Sequence, residues 1–199
     1  MTTTASPRPV RILILGTGSM AKSHVEAYAD VPGAEIVAGI DPRPEVLADF
    51  CRTHGIPQGF TSLEEALAWD GFDAVSNVTP DAAHHATTMP LLAAGKHVLC
   101  EKPLATSHAE AMAMADAADA AGLANMVNLS YRHVVPALPM AAQMVAEGVL
   151  GNLRHFEASY LQSWLTQPAW GDWRTDPRWL WRLSTEHGSK GVLGDVGIH

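Results

Sequence analysis

A short apolar run, His97 to Cys100, ends in an acid, a base and a proline: Glu101, Lys102 and Pro103. In an open α/β sheet, ligands bind just outside the carboxyl ends of the strands. An acid–base pair at such an end meets whatever binds there, although a charged pair between a strand and a proline is also ordinary turn chemistry. A second apolar run, Val10 to Leu15, leads directly into Gly16-Thr17-Gly18-Ser19-Met20-Ala21. In a strand–turn–helix setting, the first glycine permits the tight turn and the second lets the backbone approach a pyrophosphate. The alanine allows close helix–strand packing, and the helix amino end offers its unpaired N–H groups to phosphate. Asp195 and His199 stand four residues apart, so on a helix they share a face. A carboxylate there orients an imidazole for proton transfer. Taken alone, one such pair at a chain end is a chance pattern.

These side chains need elements to position them, and hydrophobic periodicity supplies candidates. Val10–Leu15 is an apolar run interrupted only by Arg11, as suits a strand buried on both faces of a parallel sheet. A helix to about Asp30 follows, then a strand from Glu35 to Ile40 that stops at Asp41. An acid at that strand end, 25 positions past Gly16, fits the carboxylate that binds the ribose of NAD. Asp41-Pro42 is also a plausible cap for the next helix. Arg43 offers a guanidinium that would suit the extra phosphate of NADP, but Asp41 repels that phosphate, so NAD is favoured over NADP.

Further on, the pattern predicts a helix over 45–54 and a short strand near Gly59-Phe60. Ser62 to Glu65 then reads as a capping box opening a helix to about Trp69. A strand over 73–78 is stopped by Thr79-Pro80, and a helix over 81–94 should be bent by Pro90. His84 and His85 are adjacent and project about 100° apart on a helix, which argues against a metal pair. A helix over 107–121 and a strand over 125–129 complete a doubly wound α/β Rossmann sheet ending near Ser130. The remainder predicts a helix over 132–148 with Pro136 and Pro139 in its opening turns. A strand over 153–162 with one solvated face follows, then a stretch holding Trp164, Trp170, Trp173, Trp179 and Trp181. Such an aromatic stretch is either a lid or ligand wall, or simple packing under a loop.

Composition narrows the functional classes. The chain has 199 residues, 47% of them hydrophobic, with a net charge of −8 and an isoelectric point of about 5.6. That charge argues against nucleic acid and against an anionic membrane surface as main partners. No segment reaches the roughly 20 apolar residues of a membrane span. Residues 1–9 read as a disordered tail, and two cysteines without metal-like spacing make a reducing cytoplasm the expected setting.

Together, Gly16 to Ala21, Asp41, Thr79-Pro80 with His84, the Ala94–Pro103 block and the closing Gly191–His199 segment resemble the glucose–fructose oxidoreductase/inositol dehydrogenase (Gfo/Idh/MocA) family over Val10 to His199. The resemblance implies an NAD(P)-binding domain over 10–130 and the beginning of an α+β substrate and oligomerisation domain over 131–199. It also implies oxidation or reduction of a hydroxyl-bearing carbon on a sugar or cyclitol, and a homo-oligomer. In that reading Lys102, Asp195 and His199 are catalytic. Gly16, Thr17, Gly18, Ser19, Met20, Asp41, Arg43, Thr79, Pro80, His84, Glu101 and Lys102 bind the cofactor. The Lys102–Pro103 bond is expected to be cis. Family members usually run well past this histidine, so the chain reads as truncated within its second domain. Relatives that retain NAD for hydrolysis or lysis, and non-catalytic NAD-dependent sensors, remain alternatives.

Overall fold

Apolar runs with short polar interruptions build the first unit. Its strands are β1 (Val10–Leu15), β2 (Ala34–Ile40), β3 (Gln58–Phe60), β4 (Ala74–Asn77), β5 (His97–Cys100) and β6 (Asn125–Val127). In the computed structural model, residues 8–130, 135–157, 159, 161, 163, 166, 167, 169, 171, 172, 174–176 and 191 are described. The strands pair in parallel in the order β3-β2-β1-β4-β5-β6. This is the doubly wound order of a Rossmann sheet, with the direction of winding reversing between β1 and β4.

The helices are α1 (Ser19–Ala29), α2 (Pro44–His54), α3 (Leu63–Trp69), α4 (His84–Ala93) and α5 (His108–Ala121). Alternation along β1 shows how both faces are filled. Ile12 and Ile14 pack with Ala21, Phe50 and Ile56, whereas Leu13 and Leu15 pack with Phe72, Leu91, Val98 and Met114. A strand that must be apolar on both sides reads as a near-continuous hydrophobic run, which is why Ile12–Leu15, buried throughout, is legible as a strand, with exposed Val10 and half-buried Arg11 at its entry.

Local chemistry sets the helix ends. Ser62 Oγ accepts from the Glu65 N–H at 3.2 Å, and Ser107 Oγ accepts from the Glu110 N–H at 3.3 Å. In both cases the glutamate reaches one residue beyond the cap, to the Thr61 N–H and hydroxyl and to the Thr106 hydroxyl. The predicted capping box at Ser62 is therefore present in a shifted form, made possible because a threonine precedes each serine. Pro44 opens α2, and Gly55 closes it at φ 66°, the left-handed position that glycine adopts without strain.

Several boundaries differ from the sequence reading. The segment predicted as one helix from residue 81 begins as a 3₁₀ turn over Asp81–Ala83. The last strand stops at Val127 rather than Leu129.

The chain divides into two units between Asn128 and Leu129. In the second, α6 (Ala137–Ala146) is capped by Pro136 and has no buried residue. Residues 131–134 of the predicted helix lie outside the described residues. Over the predicted strand 153–162, described residues 153–157 form none. A strand exists only through a ladder with a neighbour, and no partner strand occurs among the described residues of this unit. The five tryptophans, Asp195 and His199 lie outside the described residues.

Candidate functional site at the carboxyl edge of the sheet

The carboxyl ends of β1, β2, β4 and β5 bring Gly16, Asp41, Thr79 and Glu101-Lys102 to one edge of the sheet. Gly16 follows β1 with φ +92°, and a Cβ on it would lie 3.0 Å from the Val78 carbonyl oxygen and 3.2 Å from the Thr79 amide nitrogen. Both the backbone angle and the close approach of the segment after β4 require glycine here. Gly18 differs: a Cβ there would meet nothing within 4 Å. Gly18 is also the N-cap of α1, and no side chain caps that helix. An open cradle beside uncapped helix N–H groups fits a pyrophosphate, so the residues present suit a dinucleotide.

Thr17 turns inward. Its N–H and hydroxyl donate to Asp41 Oδ2 at 3.2 and 2.7 Å. Arg43 closes on the same carboxylate, its backbone N–H and Nε donating to Oδ1 at 3.0 and 2.9 Å and a terminal nitrogen to Oδ2 at 2.9 Å. Burial disfavours the Asp41 charge, but the bonds from Arg43 and Thr17 outweigh it and hold the carboxyl far below its usual range. Asp41 thus stands where the sequence reading places it, yet its oxygens are already engaged, and it also accepts the N–H of Arg43, the N-cap of α2.

Ser19 and Met20 are exposed on the first turn of α1, and Pro80 is exposed after β4. Thr79 is fixed by Asn77, whose Oδ1 accepts from the Thr79 N–H and hydroxyl at 3.2 and 2.7 Å. The Asn77 amide in turn donates to the hydroxyls of Thr87 and Thr88 on α4. His84 is completely buried. Its Nδ1 lies 2.7 Å from the Pro103 carbonyl oxygen and its Nε2 2.9 Å from that of Thr79. It joins the two loops of the edge from below, with both ring nitrogens turned to protein.

Glu101 is also buried, at 8% exposure. Its Oε1 accepts from His24 Nε2 at 2.8 Å and from Asn128 Nδ2 at 2.7 Å, and its Oε2 from the Lys102 N–H at 3.2 Å. Burial again opposes the charge, and the His24 and Asn128 bonds overcome it, keeping the carboxyl below its usual range. Lys102 itself is half-buried, and the Lys102–Pro103 bond is cis as expected.

Sequence reasoning missed His24, Ser76, Asn77 and Asn128. One signal was present: His24 follows Ala21 by one turn and so lies on the inward, apolar side of α1, where an imidazole needs a partner.

Residues 10–129 match the family model described as an oxidoreductase family with an NAD-binding Rossmann fold. The chain belongs to the Gfo/Idh/MocA family. Residues 139–199 match the C-terminal domain model of the same family. Levoglucosan dehydrogenase of Pseudarthrobacter phenanthrenivorans is 30% identical over 198 residues, covering 94% of this chain and 48% of its own. A structure of levoglucosan dehydrogenase in complex with NADH and levoglucosan superposes with a TM-score of 0.81 at 29% identity, over 96% of this chain and 51% of that one. The NADP-dependent scyllo-inositol 2-dehydrogenase IolU of Bacillus subtilis is 32% identical over 154 residues, 77% of this chain and 46% of its own. The chain thus spans about half the length of the relatives it matches. Among the described residues, no helix is long and apolar enough to cross a membrane.

Proposed function

We propose that this chain carries the cofactor site and the reacting residues of an NAD-dependent dehydrogenase acting on a hydroxyl-bearing carbon of a sugar or cyclitol. The observation that carries the reading is the placement of Lys102, at the carboxyl end of β5 on a backbone anchored by Glu101. It shares that edge with the Gly16–Gly18 turn and Thr79. The relatives that oxidise levoglucosan and scyllo-inositol supply the substrate class.

The bound nicotinamide supplies the acceptor, or in reverse the donor, of a hydride. Oxidation turns the carbinol into a carbonyl: hydride leaves the carbon, and the hydroxyl proton must pass to a base. In this reading His199 takes that proton, Asp195 orients its imidazole, and the Lys102 ammonium stabilises the negative charge developing on oxygen. His199→Ala then lowers kcat by roughly 10²–10⁴-fold and leaves NAD affinity unchanged, as isothermal titration checks. Parallel loss of NAD binding would make His199 a structural residue.

The reading is tested by incubating the protein with NAD or NADP and a panel of aldoses, anhydrosugars and inositols. Reduced cofactor accumulating in step with substrate loss is expected. Turnover without net reduced cofactor would move the function to an NAD-retaining hydrolase or lyase. Tight NAD binding with no turnover of any kind would make the protein a sensor. The homo-oligomer and cytoplasmic setting belong to the same proposal, and light scattering with cell fractionation checks them.

A further inference from the structure

His24 belongs to α1, the helix that the Gly16–Gly18 turn opens, yet its ring reaches the end of a different strand. Nε2 lies 2.8 Å from Glu101 Oε1, and Nδ1 lies 2.6 Å from Ser76 Oγ on β4. An ionised carboxylate only accepts, so Nε2 donates to it. Ser76 is fully buried, so its hydroxyl meets the imidazole out of contact with water. On the other side of Glu101, Asn128 donates to Oε1 and the Lys102 backbone N–H to Oε2. One buried carboxylate is therefore shared between α1, the residue after β6, and Lys102.

Simple core filling does not account for this cluster. An apolar side chain at position 24 would fill the volume without requiring Ser76 and Glu101 to be desolvated beneath it, and buried polar groups are costly unless every partner is present. The arrangement has a use if the backbone of Lys102 must be held still. A lysine ammonium rides on a flexible four-carbon stem, so its reach is set largely by where its backbone is fixed.

We infer that His24 is a positioning residue for Lys102. By donating to Glu101, it keeps that carboxylate ionised and turned toward the Lys102 N–H. It thereby ties the helix that opens at the Gly16–Gly18 turn to the lysine at the end of β5. Without the His24 donor, Glu101 turns away or takes up a proton, and in either case Lys102 loses a fixed acceptor. Why Lys102 must be held rests on the dehydrogenase reading; the pinning itself does not.

The test compares wild type with His24→Phe, which keeps ring bulk without a donor, and His24→Gln, which restores an N–H near Nε2. In cofactor-free protein, amide exchange at Lys102, followed by NMR, is expected to quicken roughly ten- to hundredfold in His24→Phe and to return toward wild type in His24→Gln. Exchange at Leu13 and Ile14, in the middle of β1, should stay slow in all three proteins and report an intact fold. With NAD and a reacting substrate, kcat should fall in His24→Phe and recover in His24→Gln, at constant KM for NAD. Equal Lys102 exchange in all three proteins overturns the inference. So does an identical loss in both variants, or an unchanged kcat in His24→Phe. If Lys102 exchange responds as expected but no hydroxyl compound reduces NAD, the dehydrogenase reading falls and the pinning stands.

Discussion

Before any ligand arrives, the Asp41 carboxylate holds two donors from Thr17 and three from Arg43. A ribose hydroxyl must share or displace one of them. The exposed Arg43 guanidinium is the group that can leave, because water will solvate it. A nearby Asp41 carboxylate repels a 2′-phosphate by about 1–3 kcal/mol at a partly solvated site, roughly ten- to hundredfold in affinity. Calorimetry should therefore show NAD binding more tightly than NADP, and Asp41→Ser should narrow or reverse that difference. Tighter NADP binding by wild type would assign the site to Arg43 instead. Cys100 offers a separate check. It has no exposure, and burial pushes its thiol up to about 12 against a weaker opposing bond with Thr88. Thiolate is the reactive form, so at pH 8 a thiol reagent should spare Cys100 in the native protein and label it only after denaturation.

The two glycines of the β1–α1 turn have separable roles. Gly16→Ala forces a side chain into a left-handed backbone and against the Val78 carbonyl, at a cost of about 1–3 kcal/mol. Urea unfolding should show a lower midpoint. Gly18→Ala places a methyl in open space, so the midpoint should hold. If that space receives the phosphates, crowding of about 1–3 kcal/mol weakens NAD binding roughly ten- to hundredfold. The sequence made this turn legible because a buried parallel strand, a glycine turn and a helix all punctuate the chain locally. β1 and β5 were readable to the residue for the same reason. The His24–Glu101–Asn128 cluster was not, because its members come from α1, the end of β5 and beyond β6, and join only through the sheet order. Residues 153–157 failed for the opposite reason. Their β-like composition describes a surface that could be paired, and pairing depends on a neighbour that composition does not specify.

Across the molecule, Asp41, Asp73 and Glu101 are all held below the usual carboxyl range. Asp73 owes this chiefly to the Arg11 and Arg8 guanidiniums, which reach it at 2.9 and 2.7 Å. A carboxyl with a depressed folded-state pKa contributes stability above its unfolded value and loses it as pH falls through the folded one. Stability should therefore be flat near neutrality and decline below about pH 4. Urea midpoints across that range check this, with Asp73→Asn showing a shallower decline. In the second unit, Leu138, Met140, Val145, Val149, Phe156 and Leu161 are exposed. Exposed apolar side chains in this number promote association, so limited proteolysis should cut beyond about Ser130 and leave a smaller, less associating piece that still binds NAD. A chain that resists digestion as a monodisperse monomer would contradict this. The sheet order has one more consequence, for how the first unit comes apart. β1, β2 and β3 form one half and β4, β5 and β6 the other, and the seam at β1–β4 joins Arg11 to Asp73, 62 positions away. Gly18 and Asp41 lie in the first half, Thr79 and Lys102 in the second. A dinucleotide held by all four stitches the halves together, so adding it at a hundred times its dissociation constant should stabilise the unit by about 2.7 kcal/mol. Because Leu13 and Leu15 already pack across the seam against Leu91 and Val98, the unit should melt as a single cooperative block with or without the dinucleotide, and at a higher temperature once it is bound.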